Sequence, residues 1–186
     1  GIEGYEERKE GGYVALNEED LTIIHEARDS KGMITDCKYT PDGKNFVLAS
    51  LDGALYVYQA ANYAAKAKCR GHSGKAIHFD ISNDNQFIMS NSSTGEVLFW
   101  DVERGEQQAP KLMKEVQWDS NCCVYSYGTQ GIWSVHDDKT YCASVARSHS
   151  REIICVTDNY GRVRVFNFPC VNENPNYVLM RGHAAS

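Results

Sequence analysis

The chain has 186 residues, 25 acidic and 19 basic, with a formal net charge of −6 and a sequence pI near 5.5. Residues 1–30 hold nine acidic and three basic side chains, so residues 31–186 carry sixteen of each sign and are neutral, which argues against a basic stripe for wrapping nucleic acid. Hydrophobic residues at 42% and charged ones at 24% argue against wholesale disorder, and no apolar run approaches the roughly 20 residues of a membrane-spanning helix.

Residues 1–10 form an acidic lead-in without the basic start and apolar middle of a signal peptide, and without an initiator Met. A processed or excised chain is expected. From there, short runs rich in Val, Ile, Tyr and Phe alternate with Gly, Asp, Asn and Ser, the pattern of strands joined by tight turns. Strands near 12–17 and 20–26 read as the last two of an interrupted unit over 11–29. A unit over 30–70 has strands near 34–39, 45–50, 55–60 and 65–69. The next, over 71–114, has strands near 76–81, 86–91 and 97–102 and a weak outer strand near 107–113. A shortened unit over 115–138 uses 115–119, 122–127 and 131–135. The last full unit, over 139–181, uses 141–147, 152–157, 163–168 and 176–181, and residues 182–186 open another.

These units are phased. Gly11, Gly53, Gly95, Gly128 and Gly161 are each followed five residues later by a large apolar side chain, namely Leu16, Tyr58, Trp100, Trp133 and Phe166. Asp52-Gly53 and, more loosely, Thr94-Gly95 fit hairpin turns that require positive φ. A second turn precedes three of the glycines, at Pro41-Asp42-Gly43, Asn83-Asp84-Asn85 and Ser148-His149-Ser150. Units of roughly 40–45 residues, with Gly71-His72 at a junction and Trp100-Asp101 late in the repeat, carry the signature of a WD40 β-propeller. Gly182-His183 reads as a further junction. The expected fold is all-β: an open arc of about four blades plus the last two strands of a preceding blade. Uncovered blade faces are costly in a repeat array, so missing blades or another chain are expected to cover residues around 12–26 and 176–183.

Three stretches carry a closer resemblance. KCRGHSGKAIHFDISNDNQFIMSNSSTGEVLFWDV (68–102), the compressed VQWDSNCCVYSYGTQGIW (116–133) and RSHSREIICVTDNYGRVRVFNFPC (147–170) are similar to repeats of the echinoderm microtubule-associated protein-like family. The resemblance spans roughly residues 11–183 and places the chain in the second of two fused propellers. It implies a non-enzymatic, cytoplasmic scaffold of the cytoskeleton, the axoneme of a cilium included, with tubulin or microtubules as partner and no cofactor. A general WD40 adaptor for a peptide, signalling or ubiquitin-pathway partner is the alternative.

Two departures from the pattern stand out. Thr94 occupies the turn position where many blades place Asp, so the relay of hydrogen bonds between His72 and Trp100 is expected to be incomplete. In the preceding unit Ser30 stands for the junction His and Tyr58 for the Trp.

Other chemistry is weakly supported. Gly71-His72-Ser73-Gly74 misses the spacing of a nucleophile elbow, and Gly74-Lys75 lacks the rest of a P-loop. Adjacent Cys122 and Cys123 would point to opposite faces of a strand, and His136-Asp137-Asp138 reads as a loop, so no metal site is expected. Asp80 to Asn85 imitates the start of an EF-hand loop but lacks its glycine and closing Glu. Asn91-Ser92-Ser93 fits the glycosylation pattern. Most of the seven scattered cysteines read as small buried hydrophobes, and the set as that of a reducing compartment. Lys38, Arg70, Lys75, Arg147 and Arg151 lie at or near strand ends and inter-blade junctions and are the candidates for a local positive patch that meets acidic tubulin surfaces, with ordinary solvated rim charge as the alternative reading. Gly71, His72, Trp100, Asp101, Asp52, Gly53, Gly182 and His183 are expected to be structural.

Overall fold

Tight turns set the architecture. In the computed structural model, which describes residues 10–133 and 141–182, Gly11, Gly53, Gly95 and Gly161 all take positive φ, between 67° and 81°. The opposite turns close on Gly43, Asn85 and Arg151, also at positive φ, each amide bonding back to the carbonyl of Thr40, Ser82 or Ser148. His183 and the His136-Asp137-Asp138 segment lie outside the described residues.

Among the described residues, fourteen strands run between these turns in four antiparallel sheets. β1 (Gly12–Leu16) and β2 (Ile23–Arg28) form a two-stranded ribbon. The first four-stranded sheet is β3 (Ile34–Tyr39), β4 (Asn45–Ser50), β5 (Ala54–Gln59) and β6 (Ala65–Arg70), paired in sequence order. The second is β7 (Ala76–Ile81), β8 (Phe87–Ser92), β9 (Val97–Asp101) and the two-residue β10 (Gln107–Gln108). The third is β11 (Cys142–Arg147), β12 (Ile153–Asp158), β13 (Arg162–Asn167) and β14 (Tyr177–Arg181). β3, β7 and β11 each carry a register shift just after their first residue, so the first strand of every four-stranded sheet repeats even in its irregularity.

The ribbon and the first two four-stranded sheets stack face to face, as blades of a β-propeller do, while the third sheet shares its core with Val124 and Ile132 of the segment before it. β4 is buried at every residue because both faces of its sheet are covered. One face packs Phe46, Leu48, Tyr56 and Tyr58 against Tyr13 of β1. The other joins Val47, Leu55 and Val57 to Phe79, Ile88 and Trp100 of the second sheet in one core. Alternate residues of one strand thus serve two neighbours, which the pleat requires. The outermost strands lack such cover: Val14, Leu16, Ile23 and Ile24 are exposed, as are Tyr177, Val178, Leu179 and Met180.

The segment expected as a shortened unit of three strands departs from that expectation. Residues 115–133 contain no strand; they hold an isolated bridge from Ser82 to Trp118 and a 3-10 helix over Tyr127–Ile132. The weak strand expected over 107–113 likewise shrinks to Gln107–Gln108, followed by a 3-10 turn over Pro110–Met113. The reason lies in the hydrogen bonds. The amides of Cys122 and Cys123 donate to the carboxylate of Asp80. The side-chain amide of Asn91 takes both the N–H and the C=O of Tyr125, at 2.8 and 2.9 Å. Side chains of the second sheet thereby occupy the groups that a ladder would need. Gly128 correspondingly lacks the positive φ of the other phased glycines, and its close neighbour is the Phe168 ring.

Candidate functional site

The junction between the first and second sheets holds a connected polar network. Trp100, fully buried on β9, donates from Nε1 to the Ser90 hydroxyl at 2.8 Å. Ser90 Oγ lies 2.7 Å from His72 Nε2, and His72 Nδ1 lies 3.1 Å from Glu96 Oε2. An ionised carboxylate only accepts, so the imidazole proton sits on Nδ1 and the Ser90 hydroxyl donates to Nε2. Gly71 is needed beside it, because the edge of the Trp100 ring comes within 3.0 Å of where a Cβ would stand. The relay is therefore complete, contrary to the expectation drawn from Thr94. Glu96, two residues further on, reaches back with its longer side chain and also accepts from the Ser73 amide and hydroxyl and from Ser92.

Those bonds set the titration of the site. The Ser73 hydroxyl and amide, with His72, hold the Glu96 carboxyl down at about 2. Burial pushes His72 below its ordinary value despite the neighbouring carboxylate, so the neutral ring is the stable form. An unfolded Glu titrates near 4.5, so ionised Glu96 favours the fold fully above that pH and its contribution fades as pH falls from 4.5 towards about 2. Glu96→Gln is expected to flatten that acid limb in unfolding curves recorded across this range, with little change in the shape of the curve from neutral pH down to about 5.

The first sheet reaches a similar end by different means. Ser30 bonds to Ser50 at 2.5 Å and to Asp52 at 3.2 Å, and Asp52 also accepts from Tyr56 at 2.5 Å. Tyr58, standing where the second sheet has Trp100, donates to Asp29 at 2.8 Å. Asp52 further caps its own turn by accepting from the Ala54 amide. In the second sheet Asp101 performs that local task for Glu103 and Arg104. Gly53 meets the Gly74 carbonyl 2.8 Å from where a Cβ would lie, which fixes how closely the two sheets approach. Gly182 stands in open space.

A second cluster centres on Asp80, whose side chain is fully buried. It accepts from Ser120 at 2.5 Å, from the amides of Cys122 and Cys123 at 2.8–2.9 Å, and lies 3.5 Å from Lys38 Nζ. Burial alone would raise the Asp80 pKa, but Lys38, Ser120 and the two amides outweigh it and hold the carboxyl below its ordinary value. Lys38 is also bonded to the Phe79 carbonyl and paired with Asp36 at 3.5 Å. Arg147 donates to the carbonyls of Trp118 and Asp119 at 2.7 and 3.0 Å. In this arrangement Lys38 and Arg147 brace the strandless segment.

The five basic residues read as candidates for one patch are thus divided between the two ends of the sheets. β3 and β7 run side by side in the same direction, with Thr35 bonded to the Ala76 carbonyl and Lys38 to that of Phe79. Arg70 ends β6 opposite Ala54, and Lys75 precedes β7, so both stand at the end marked by Gly53 and the relay. Lys38, Arg147 and Arg151 stand at the opposite end. There a cleft of about 1060 Å³ opens between the first two sheets, lined by Asp42, Asp84, Asp101 and Glu103 with Lys44 and Lys66. The relay end carries two cations that the sequence reading missed, Lys31 and Lys68. Lys68 lies two residues before Arg70 on β6, a period-2 signal that places both side chains on one face.

Reactive chemistry is not assembled at the residues that invited it. The Ser73 hydroxyl donates to Glu96 at 2.7 Å, and His72 is turned towards Ser90 rather than Ser73. Burial pushes the thiols of Cys122 and Cys123 up, away from the thiolate a nucleophile or metal ligand needs. Among the described residues no group of three or more His, Cys, Asp and Glu is placed to hold a metal ion. Asn91 is 1% exposed with both ends of its amide bonded, so its glycosylation pattern is sealed inside the fold.

Comparison with known proteins agrees with this architecture. Residues 5–186 match the family model of the echinoderm microtubule-associated protein second β-propeller. Human echinoderm microtubule-associated protein-like 3 is 30% identical over 181 residues, covering 94% of this chain and 20% of that protein. The mouse protein-like 4 is 34% identical over 157 residues, covering 81% of this chain and 16% of its own length. The human protein-like 2 is 32% identical over 182 residues, with coverages of 94% and 28%. The chain therefore spans between about a sixth and somewhat over a quarter of these relatives. Among solved structures, dihydro-heme d1 dehydrogenase NirN in complex with DHE shares the fold, with a TM-score of 0.53 at 15% identity over 92% of this chain and 33% of that one.

Proposed function

The chain belongs to the echinoderm microtubule-associated protein family, in its second β-propeller, and from that premise we propose that it serves as a non-enzymatic WD40 scaffold helping its parent bind tubulin or microtubules. The observation that carries the reading is the set of cations at the relay end. Lys31, Arg70 and Lys75 are exposed there and Lys68 is half-buried. Of the nearby carboxylates, Glu96 is committed to the relay and Asp52 to its own turn and to Lys68, 4.0 Å away, so Lys31, Arg70 and Lys75 are the cations left facing outward. Acidic tubulin surfaces are the complementary partner, and the contact is local because residues 31–186 carry no net charge. The opposite end, with its carboxylate-lined cleft, is electrostatically unsuited to that role.

The exposed apolar residues on β1, β2 and β14 belong to this proposal too. Their side chains fit a neighbouring blade, and we assign them to further blades of the same longer parent. The proposed setting is the cytoskeleton, the axoneme of a cilium included. Co-sedimentation of the full-length parent with polymerised tubulin across a salt series tests the function. Binding that is strong at low salt and weakens steadily as salt rises is expected. A parent that stays in the supernatant at low salt overturns the proposal.

A further inference from the structure

Two serines in the chain follow an arginine by three residues: Ser73 after Arg70, and Ser150 after Arg147. The fold treats the two pairs differently. Arg70 ends β6 and is exposed, and its guanidinium has no hydrogen bond or ion pair among the described residues. Arg147 is half-buried and spends its guanidinium on the carbonyls of Trp118 and Asp119, at 2.7 and 3.0 Å. Ser73 is exposed in the connection between β6 and β7. Its amide and hydroxyl bond to the side chains of Glu96 and Thr94. No strand ladder therefore has to break for that hydroxyl to be presented to an enzyme.

A protein kinase that selects arginine three residues before its acceptor binds that guanidinium with carboxylates of its own, a charge-assisted pairing that suits the planar fork. Such an enzyme needs the arginine free as well as the serine exposed. Arg70 and Ser73 meet both conditions. Ser150 is exposed, but its arginine is engaged.

We infer that Ser73 is a phosphorylation site for an arginine-directed kinase, and that its phosphate opens the contact between Glu96 and His72. In the transfer, Ser73 Oγ bonds to the γ-phosphorus of ATP as the bond from that phosphorus to the β,γ-bridging oxygen breaks. ADP leaves, and the hydroxyl proton passes to the catalytic aspartate of the kinase. The product carries about −1.5 to −2 charges. It lacks the proton that Ser73 donates to Glu96 Oε1 at 2.7 Å, and it sets a second anion against that carboxylate. Glu96 is driven off, and the chain from His72 through Ser90 to Trp100 loses its outer anchor. The same charge offsets much of the outward-facing Lys31, Arg70 and Lys75 and so weakens binding to an acidic surface. This last consequence rests on the reading of the relay end as the microtubule surface; the modification and the loss of the anchor do not.

The test treats the full-length parent with magnesium ATP and the catalytic subunit of cAMP-dependent protein kinase, and mass spectrometry locates and times the phosphate. Free peptides covering residues 66–77 and 143–154 give the rates without the fold. The ratio of parent rate to peptide rate is expected to be about tenfold or more higher at Ser73 than at Ser150, and Arg70→Ala is expected to slow Ser73 by about tenfold or more. The phosphorylated parent is expected to exchange amide hydrogens faster over residues 71–76 than its mock-treated control, and to pellet with polymerised tubulin about threefold or more weakly. Kinase-treated Ser73→Ala should match its own mock-treated control in both. No phosphate on Ser73, equal ratios at the two serines, or indifference to Arg70→Ala overturns the site. A phosphate on Ser73 that leaves exchange over residues 71–76 unchanged overturns its effect on the relay, and unchanged pelleting alone overturns the charge effect. A mock-treated parent that stays in the supernatant defeats the microtubule reading, while the rate ratio and the exchange still decide the site.

Discussion

Replacing Asp80 with alanine is expected to lower the unfolding free energy by about 3–5 kcal/mol, the usual loss when one partner of a buried ion pair is removed. The change leaves the half-buried Lys38 charge without its inner partner and takes the acceptor from the Ser120 hydroxyl and from two amides. Asp36 remains beside Lys38 and softens the loss. Equilibrium urea unfolding measures it. Lys38→Met in the Asp80→Asn background should recover part of the stability, because it removes the orphaned charge. Full stability of Asp80→Ala would show that the strandless segment is held by packing alone. The acid side has a matching signature. Asp80 titrates below its ordinary 3.8 in the fold, so its contribution is full above that pH and is lost as pH falls through the lower folded value.

Ser90→Ala is the second large effect. It removes the hydroxyl that joins Trp100 to His72, leaving an indole N–H and an imidazole nitrogen buried without partners. Each unsatisfied group costs about 1–3 kcal/mol, so a loss of about 2–4 kcal/mol is expected in the same unfolding measurement. Thr94→Asp should change stability by less than about 0.5 kcal/mol, because Glu96 already holds the position towards His72 that a turn Asp would take. A large gain from Thr94→Asp, with a negligible loss from Ser90→Ala, would mean that the relay does not brace this blade.

The two effects mark where the sequence was legible and where it was not. Sheets and turns could be read because a pleated strand demands period-2 burial and a tight turn demands positive φ. Both leave marks at fixed spacing, as at Gly53 and Gly95 or Asn85 and Gly43. The role of Glu96 could not be read by position, since a longer side chain from a later residue closes the same bond. Asp80 was obscure for a related reason. A carboxylate within a strand resembles a solvent-facing residue until its neighbours Lys38, 42 residues earlier, and Cys122, 42 residues later, are brought to it. Residues 115–133 have the composition of strands but lose their ladder to the side chains of Asp80 and Asn91. The basic residues were grouped by their closeness to strand ends, whereas strand direction decides which end each one occupies. That direction separates Arg70 and Lys75 from Lys38, Arg147 and Arg151.

The division between the two ends also gives the sharpest test of the proposed function. The measurement is co-sedimentation of the full-length parent with polymerised tubulin at low salt, comparing Arg70→Glu with Lys75→Glu together against Arg151→Glu alone. Both sets change exposed residues, so the fold should survive in each. The double reversal at the relay end is expected to weaken pelleting by about tenfold or more, while Arg151→Glu leaves it within about twofold of wild type. Equal pelleting of all three proteins, or a loss confined to Arg151→Glu, would contradict the assignment of the relay end as the surface that meets the microtubule.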